Sequence, residues 1–302
     1  MTAVDVGAFA GTTATGGGRV GARARTRDWV RLLRPGVAVA WVVLALIALA
    51  ALWPGLFATD PPNAVDPVHG LQGPSAEHLF GTDQLGRDVF SRVVHGARPS
   101  LLIGLGSTLV AVVAGALLGV LAATGSRVLD ETIMRVTDIL LAFPGLLLAL
   151  IVVSVLGPGT GNATLAIGIA ATPGFVRLSR GQALVVRESD YVRAAITFGR
   201  RRSGIFLGHI LPNALPPLLV FATVNIGTAI IAGSSLSFLG LGPQAPTAEW
   251  GAMLAQSRDL LEIAWAPAVF PGLAVTVTVV AVNVVGRTLQ RRFEGRRVDA
   301  GQ

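Results

Sequence analysis

The segment Asp190–Gly199 carries the side-chain pattern of this chain that is best suited to binding another protein. At 3.6 residues per turn, its apolar and polar residues fall on different sides of a helix. The apolar side holds Tyr191, Ala194, Ala195 and Phe198, and the polar side holds Asp190, Arg193 and Thr197. Gly199 then ends the helix. The pattern predicts non-covalent docking through a short amphipathic helix.

Patterns typical of catalysis and of metal binding are missing from the sequence. There is no GxxxxGK[ST] loop for ATP, no Ser/His/Asp arrangement and no pair of carboxylates spaced for acid–base work. The chain has no Cys, and its four His show no ligand spacing. These are His69, His78, His95 and His209. We therefore expect a chain that is not an enzyme, holds no metal and binds no cofactor itself.

The composition predicts a membrane protein. Of 302 residues, 52% are hydrophobic and 14% are charged, and the mean hydropathy is +0.65. Soluble domains carry about 25% charged residues. All 24 basic residues are Arg, and the net charge of +7 is explained better by their placement around membrane spans than by nucleic acid.

Uncharged runs of about 20 residues predict transmembrane helices. Six such helices are expected in an all-α integral membrane protein. The run from residue 139 to 176 is divided into two helices by turn residues at 157–162, and the region 203–248 supplies one span plus a re-entrant or surface segment. The predicted spans are 37–57, 99–126, two within 139–176, 213–233 and 263–286.

The distribution of Arg predicts the orientation of these spans. Twenty Arg fall on one side and four on the other, which places both termini in the cytoplasm under the positive-inside rule. The four are Arg87, Arg92, Arg98 and Arg258. The domains predicted are a partly disordered Arg-rich cytoplasmic tail (1–36), the first span (37–57), an extracytoplasmic loop with an interfacial helix (58–98), a core of five spans (99–286) containing a cytoplasmic coupling loop (177–212), and a cytoplasmic tail (287–302).

The predicted spans contain no Asp, Glu, Lys or Arg. Ion-coupled carriers usually need ionisable groups inside the membrane, so the energy for any transport is expected to come from another polypeptide. The polar residues that remain in the last two spans could line a solute path or form hydrogen bonds between helices. They are Thr223, Asn225, Thr228, Thr276, Thr278 and Asn283.

Several motifs occur in a specific order along the chain. They are Gly81–Asp88, Asp138–Pro144, the pattern Arg193-Ala194-Ala195 with Gly199 and His209-Ile210-Leu211-Pro212, and Ser234–Gly242. Over residues 76–292 the chain resembles permease subunits of binding-protein-dependent ABC importers, in particular the C-type subunit of the dipeptide/oligopeptide/nickel branch. Two positions depart from the family pattern: Arg193 replaces an acidic residue, and Gly233 stands where relatives commonly have Glu. Asp190, Glu188 or an acid on the partner could compensate for Arg193.

The resemblance implies a type I (MetI-like) permease fold and a place in the plasma membrane of a bacterium. It implies that the chain forms half of a pathway for short peptides and works with a second homologous permease and an extracytoplasmic substrate-binding protein. Two ABC ATPase subunits would bind ATP and Mg²⁺ and perform the hydrolysis. Nickel, haem or another small solute is the alternative cargo, and an ion-coupled secondary carrier or a membrane scaffold is a more distant alternative.

The resemblance also assigns candidate residues. Those expected to couple the chain to the ATPases are Asp190, Tyr191, Arg193, Ala194, Ala195, Phe198, Gly199, His209, Leu211 and Pro212. Those expected in the outer loop or the pathway are Gly81, Thr82, Asp83, Gly86, Arg87, Asp88, Asn225, Ser235, Ser237, Phe238 and Gly240. For residues 81–88 a capped turn is the structural alternative, and for residues 234–242 the alternative is simple hairpin packing.

Overall fold

In the computed structural model, residues 35–299 are described. Nearly all of the predicted N-terminal tail lies outside these residues. Within them the chain is all-helical, and the only β interaction is an isolated bridge between Thr82 and Asp88. The α-helices are α1 Pro35–Leu52, α2 Val89–Thr124, α3 Arg127–Leu141, α4 Gly145–Leu156, α5 Thr160–Arg187, α6 Asp190–Thr197, α7 Arg202–Ile205, α8 Leu211–Phe238, α9 Trp250–Ser257 and α10 Ala266–Asp299. Shorter turns are the 3₁₀ segments Pro54–Leu56, Pro67–His69 and Arg258–Leu260 and the π segment Phe206–Ile210.

Four helices in the described part of the chain are long and apolar enough to cross a membrane. They are Pro35–Leu52, Val89–Thr124, Gly208–Phe238 and Ala266–Arg291. The pair α3 and α4 gives a fifth if the two helices form one bent span. Helix α5 has 28 residues, but its second half carries Arg177, Arg180 and Arg187. The count of six spans and the cytoplasmic position of both termini stay predictions.

Helix α2 begins ten residues earlier than the span predicted from Pro99. The stretch expected to form a separate interfacial helix is therefore the first part of α2. Asp88 caps this helix by accepting a hydrogen bond from the Ser91 N–H, and Pro99 lies inside it. A proline removes one backbone hydrogen bond, and here the helix continues through it. At about 1.5 Å per residue, 36 residues exceed the hydrocarbon thickness of a bilayer.

The predicted span that starts at Ile139 is broken near its beginning. Helix α3 ends at Leu141, α4 begins at Gly145, and the two are bent by 97°. The physical reason is Pro144, because proline disfavours the helical conformation of the preceding residue. Helix α4 then has only 12 residues, too few to cross a bilayer alone. The turn expected after it is present: Gly157 and Gly159 both have positive φ between α4 and α5.

The closest helix pairing joins α2 to α5 through glycines. A Cβ atom added to Gly115 would collide with Phe175, and one added to Gly119 would lie 2.5 Å from both the Ser179 Cβ and the Val176 carbonyl oxygen. The Ser179 hydroxyl also donates a hydrogen bond to the Ala116 carbonyl at 3.1 Å. These contacts require the two backbones to touch, so α2 and α5 form the central pair of the fold.

Candidate functional site

Helix α6 is anchored on one side and exposed on the other. Val192 is fully buried and packs in a cluster with Ile205 and Ile210, and the half-buried Ala195 contacts the same cluster. On the opposite side, Tyr191 is 47% exposed and Phe198 is 87% exposed. The predicted apolar face is therefore divided, because Ala195 faces the core. We call the exposed set of Tyr191, Ala194 and Phe198 the docking surface.

Gly199 ends α6 as the sequence predicts. Its φ is +73°, a left-handed conformation that glycine adopts readily, and no atom lies within 4 Å of the position a Cβ would take. The requirement for glycine is therefore conformational. The Arg200 N–H donates to the Ala195 carbonyl at 3.1 Å, which closes the helix and directs the chain toward α7.

The predicted motif at residues 209–212 lies beside α6. The rings of His209 and Tyr191 have centroids 6.3 Å apart, and an Arg200 guanidinium nitrogen lies 3.1 Å from His209 Nε2. Leu211 begins α8 and packs on the cluster that holds Val192, with Pro212 in the first turn, where its missing N–H is tolerated. The structure thus brings the two halves of the predicted coupling motif together.

Arg193 lies on the polar side of α6 and is paired within the chain. Its guanidinium Nη2 donates to Glu188 Oε2 at 2.8 Å, and both side chains are more than half exposed. The hydrogen bond from Arg193 to Glu188 holds the pKa of Arg193 above its ordinary value. Of the acids expected to compensate for Arg193, Glu188 is therefore the one in contact, and the exposed pair presents both charges to solvent.

The motif at residues 81–88 folds into a compact turn with buried side chains. The Thr82 hydroxyl donates to the His69 carbonyl at 2.6 Å, and the Asp83 carboxylate accepts from the Arg87 Nε at 2.7 Å. Gly81 and Gly86 supply the positive φ angles. Thr82, Asp83, Arg87 and Asp88 are all less than 9% exposed. These buried side chains hold the loop in its conformation through hydrogen bonds inside the loop. This arrangement agrees with the capped turn that the sequence analysis gives as the structural alternative for residues 81–88.

A buried carboxylate that the sequence analysis missed ties α9 to α2. Glu249 is 1% exposed; its Oε1 accepts hydrogen bonds from the Ser100 hydroxyl at 2.9 Å and the Gly251 N–H at 3.0 Å. Its Oε2 accepts from the Ala252 N–H at 2.9 Å. Next to it, the Trp250 indole donates to the Val93 carbonyl. In the sequence, the local indication of this role was an acidic residue just before the start of a helix. The contact with Ser100, in contrast, joins residues that are 149 positions apart.

Replacing Glu249 with Ala should destabilise the protein by about 2 kcal/mol, because the helix cap is lost and buried donors are left unpaired. The matched control is Glu262→Ala, since Glu262 is an exposed acid nearby and surface substitutions usually stay within about 0.5 kcal/mol. The measurement is the thermal unfolding midpoint in detergent. Equal midpoints for the two variants would contradict a stabilising role for Glu249.

An open cleft of about 420 Å³ lies between α4, α5 and α8. Its walls are mostly small and apolar, with three polar side chains from α8. The lining residues are Gly145, Leu146, Ala149, Ile167, Ala170, Ala171, Asn225, Thr228, Ala229, Ile231, Ala232 and Ser235. A cleft of this kind can pass a solute while offering a few hydrogen-bonding groups.

Two of the predicted pathway residues, Asn225 and Ser235, line this cleft. Asn225 also donates to the Thr108 hydroxyl on α2 at 3.1 Å, so it makes an interhelical hydrogen bond as well. Ser237 is buried, and Phe238 and Gly240 are exposed at the end of α8 and in the turn after it.

The departure at Gly233 has a steric explanation. A Cβ at this position would lie 2.5 Å from the Ile103 Cγ2, so a larger residue requires the Ile103 side chain to move. The Glu that the family pattern in the sequence analysis places here would meet the same contact.

Residues 115–299 match the family described as "Binding-protein-dependent transport system inner membrane component". The chain is 45% identical over 258 residues to the "Probable D,D-dipeptide transport system permease protein DdpC" of Escherichia coli K12, covering 85% of this chain and 87% of that protein. It is 42% identical over 252 residues to the "Dipeptide transport system permease protein DppC" of Alkalihalophilus pseudofirmus, covering 83% of each chain. It is 44% identical over 264 residues to the "Glutathione transport system permease protein GsiD" of Pectobacterium atrosepticum, covering 87% of this chain and 88% of that protein.

A solved structure described as "Inward facing conformations of the MetNI methionine ABC transporter" superposes with a TM-score of 0.55 and 19% sequence identity. The superposition covers 66% of this chain and 95% of that one. At this identity the likeness concerns the fold alone, and it agrees with the predicted MetI-like permease architecture.

Proposed function

Because this chain belongs to the family of binding-protein-dependent transport system inner membrane components, we propose that it is the permease subunit of an ATP-driven importer that carries short peptides. The observation that carries the proposal is the docking surface on α6, an exposed aromatic and small-residue patch fixed to the core by the buried Val192. The names of the relatives, which specify dipeptide and glutathione transport, support a peptide cargo. Nickel, haem or another small solute is the alternative cargo.

The proposed partners are those that membership of the binding-protein-dependent family implies. Two ATPase subunits bind ATP and Mg²⁺ and supply the hydrolysis, and one of them receives the docking surface. A second homologous permease closes the open side of the cleft and completes the pathway. A substrate-binding protein delivers the peptide from outside. The Arg193–Glu188 pair presents both charges beside the docking surface, so it selects an ATPase whose groove carries complementary charges.

The coupling route runs through packed helices. Helix α6 follows α5 directly, and Val192 packs against Ile205 and Ile210 just before α8. Both α5 and α8 contribute walls to the cleft. A displacement of α6 by a moving ATPase therefore shifts two cleft walls together. Transport follows when these walls alternate between inward and outward access.

Filling the cleft should block transport without unfolding the protein. We expect Thr228→Trp to lower ATP-dependent peptide uptake at least about tenfold, because the exposed Thr228 lines a cleft into which an indole would project. The matched control is Thr276→Trp on α10, an exposed threonine outside the cleft lining. Uptake of a labelled tripeptide by cells that carry each variant is the measurement. Normal uptake with Thr228→Trp would remove the cleft from the pathway.

The composition of the assembly tests the proposed function. The full-length chain, extracted from its native membrane in mild detergent, should co-purify with two P-loop ATPases, a second permease and a secreted binding protein, identified by mass spectrometry. Recovery of the chain alone, under conditions that preserve a known ABC importer, would favour the carrier or scaffold alternatives.

A further inference from the structure

A histidine and two aspartates from distant points of the α1–α2 connection meet at the start of α2. They are Asp60, His78 and Asp88, and one ligand atom from each lies within 4.8 Å of the corresponding atoms of the other two. Asp88 is buried, His78 is half-buried and Asp60 is exposed. The group is therefore open to solvent on the Asp60 side.

Ser91 fixes the relative positions of the two aspartates. Its N–H donates to Asp88 Oδ2 at 2.7 Å, and its hydroxyl oxygen accepts hydrogen bonds from the backbone N–H groups of Thr59 and Asp60, each at 3.1 Å. Ser91 is fully buried in the first turn of α2. Because both aspartates are held by the same residue, their proximity is built into the fold.

The charges of this group are not balanced within the described part of the chain. Two other acids of the connection are paired, Asp66 with His69 and Asp83 with Arg87. Within residues 35–299, no hydrogen bond or ion pair involves the Asp60 carboxylate, and the ion pair of Asp88 is with His78. Two carboxylates this close repel each other, and a bound cation relieves that repulsion.

We propose that Asp60, His78 and Asp88 bind a divalent transition-metal ion such as Zn²⁺. One imidazole and two carboxylates form a donor set that such ions accept, with water in the remaining positions. His78 Nδ1 lies 3.1 Å from Asp88 Oδ1. Around a tetrahedral zinc ion with metal–ligand bonds of about 2.0 to 2.2 Å, two ligand atoms lie about 3.3 to 3.6 Å apart, close to this separation.

The largest movement needed to complete the site is that of Asp60, since His78 and Asp88 have to separate by only a few tenths of an ångström. The largest ligand separation, up to 4.8 Å, exceeds the spacing expected around one zinc ion. Asp60 is exposed and its carboxylate makes no hydrogen bond in the described part of the chain, so its side chain is free to rotate toward the other two ligands. The ion would then fasten the chain around Asp60 and His78 to the N-terminus of α2.

The test is metal binding by the full-length chain, purified in detergent with an affinity tag that contains no histidine. After chelator treatment and dialysis, Zn²⁺ is titrated calorimetrically and Co²⁺ is followed by its visible absorption. We expect one Zn²⁺ per chain, and at least a tenfold loss of affinity in both Asp60→Asn and His78→Gln. The Co²⁺ spectrum should change with the loss of the His78 ligand.

The same connection offers matched controls. Asp66 and His69 form an exposed Asp–His pair with a 2.7 Å contact, so Asp66→Asn and His69→Gln should leave the affinity unchanged. Thermal unfolding checks that each variant is folded. Because Asp60→Asn removes no hydrogen bond, this variant stays informative even if His78→Gln fails to fold. The absence of stoichiometric binding, or an equal loss in His69→Gln, would overturn the proposal. A simple His78–Asp88 hydrogen bond would then be the role of the pair.

Discussion

Replacing Phe198 with Ala is expected to uncouple the permease from its ATPases while the protein stays folded. The side chain is 87% exposed, so its removal should change the stability by no more than about 0.5 kcal/mol. If Phe198 fills a groove of the partner, its truncation costs about 2 kcal/mol or more of binding, as aromatic anchors of protein interfaces do. This corresponds to an ATPase association weakened about 30-fold.

Two measurements on purified protein check this prediction. Binding of the ATPase subunit to permease in nanodiscs gives the affinity, and the thermal unfolding midpoint gives the stability. Val68→Ala is the matched control, because Val68 is 86% exposed in the connection between α1 and α2, away from α6. Unchanged ATPase affinity in Phe198→Ala, or an equal loss in Val68→Ala, would contradict the role of the docking surface.

Replacing Gly119 with Ala is expected to destabilise the central helix pair strongly. The added Cβ would lie 2.5 Å from the Ser179 Cβ and from the Val176 carbonyl oxygen, and 2.8 Å from the backbone nitrogen of Arg180. Two of these three atoms belong to the backbone of α5, so α2 and α5 must separate to accept it. Overpacking of this kind costs about 3 kcal/mol.

The matched control for this prediction is Gly181→Ala on α5. No atom lies within 4 Å of a Cβ at Gly181, so the change should be tolerated and stabilise the helix by about 0.5 to 1 kcal/mol. The unfolding midpoint should therefore fall by about 6 °C or more in Gly119→Ala and stay level or rise in Gly181→Ala. A midpoint for Gly119→Ala that matches the wild type would contradict the close approach of the two helices.

Local patterns in the sequence predict the docking helix well. The helical spacing of residues 190–198 and the glycine that follows give α6 and its end at Gly199, since both depend on neighbouring residues only. The anchoring of Val192 and Ala195 does not follow from that spacing, because it depends on packing against Ile205 and Ile210. The apolar face that the sequence predicts for docking therefore includes one residue, Ala195, that faces the core instead.

Apolar runs in the sequence do not predict every feature of the fold. Two such features are the break between α3 and α4 and the buried carboxylate of Glu249. An uncharged run predicts helical residues, but the 97° bend before Gly145 depends on the single residue Pro144. The Glu249–Ser100 hydrogen bond joins residues 149 positions apart, and no local pattern indicates it. The grouping of Asp60, His78 and Asp88 also depends on the folding of the chain, because these residues have no short ligand spacing along the sequence.

The most direct test of the central proposal is peptide uptake by cells with and without this chain. We predict that deletion abolishes the uptake of a labelled di- or tripeptide, and that the wild-type chain restores it while Phe198→Ala does not. Restored uptake should cease when ATP is depleted and persist when the proton gradient is collapsed. Uptake that survives ATP depletion with an intact gradient, or that is unaffected by deletion, would contradict the assignment of this chain to an ATP-driven peptide importer.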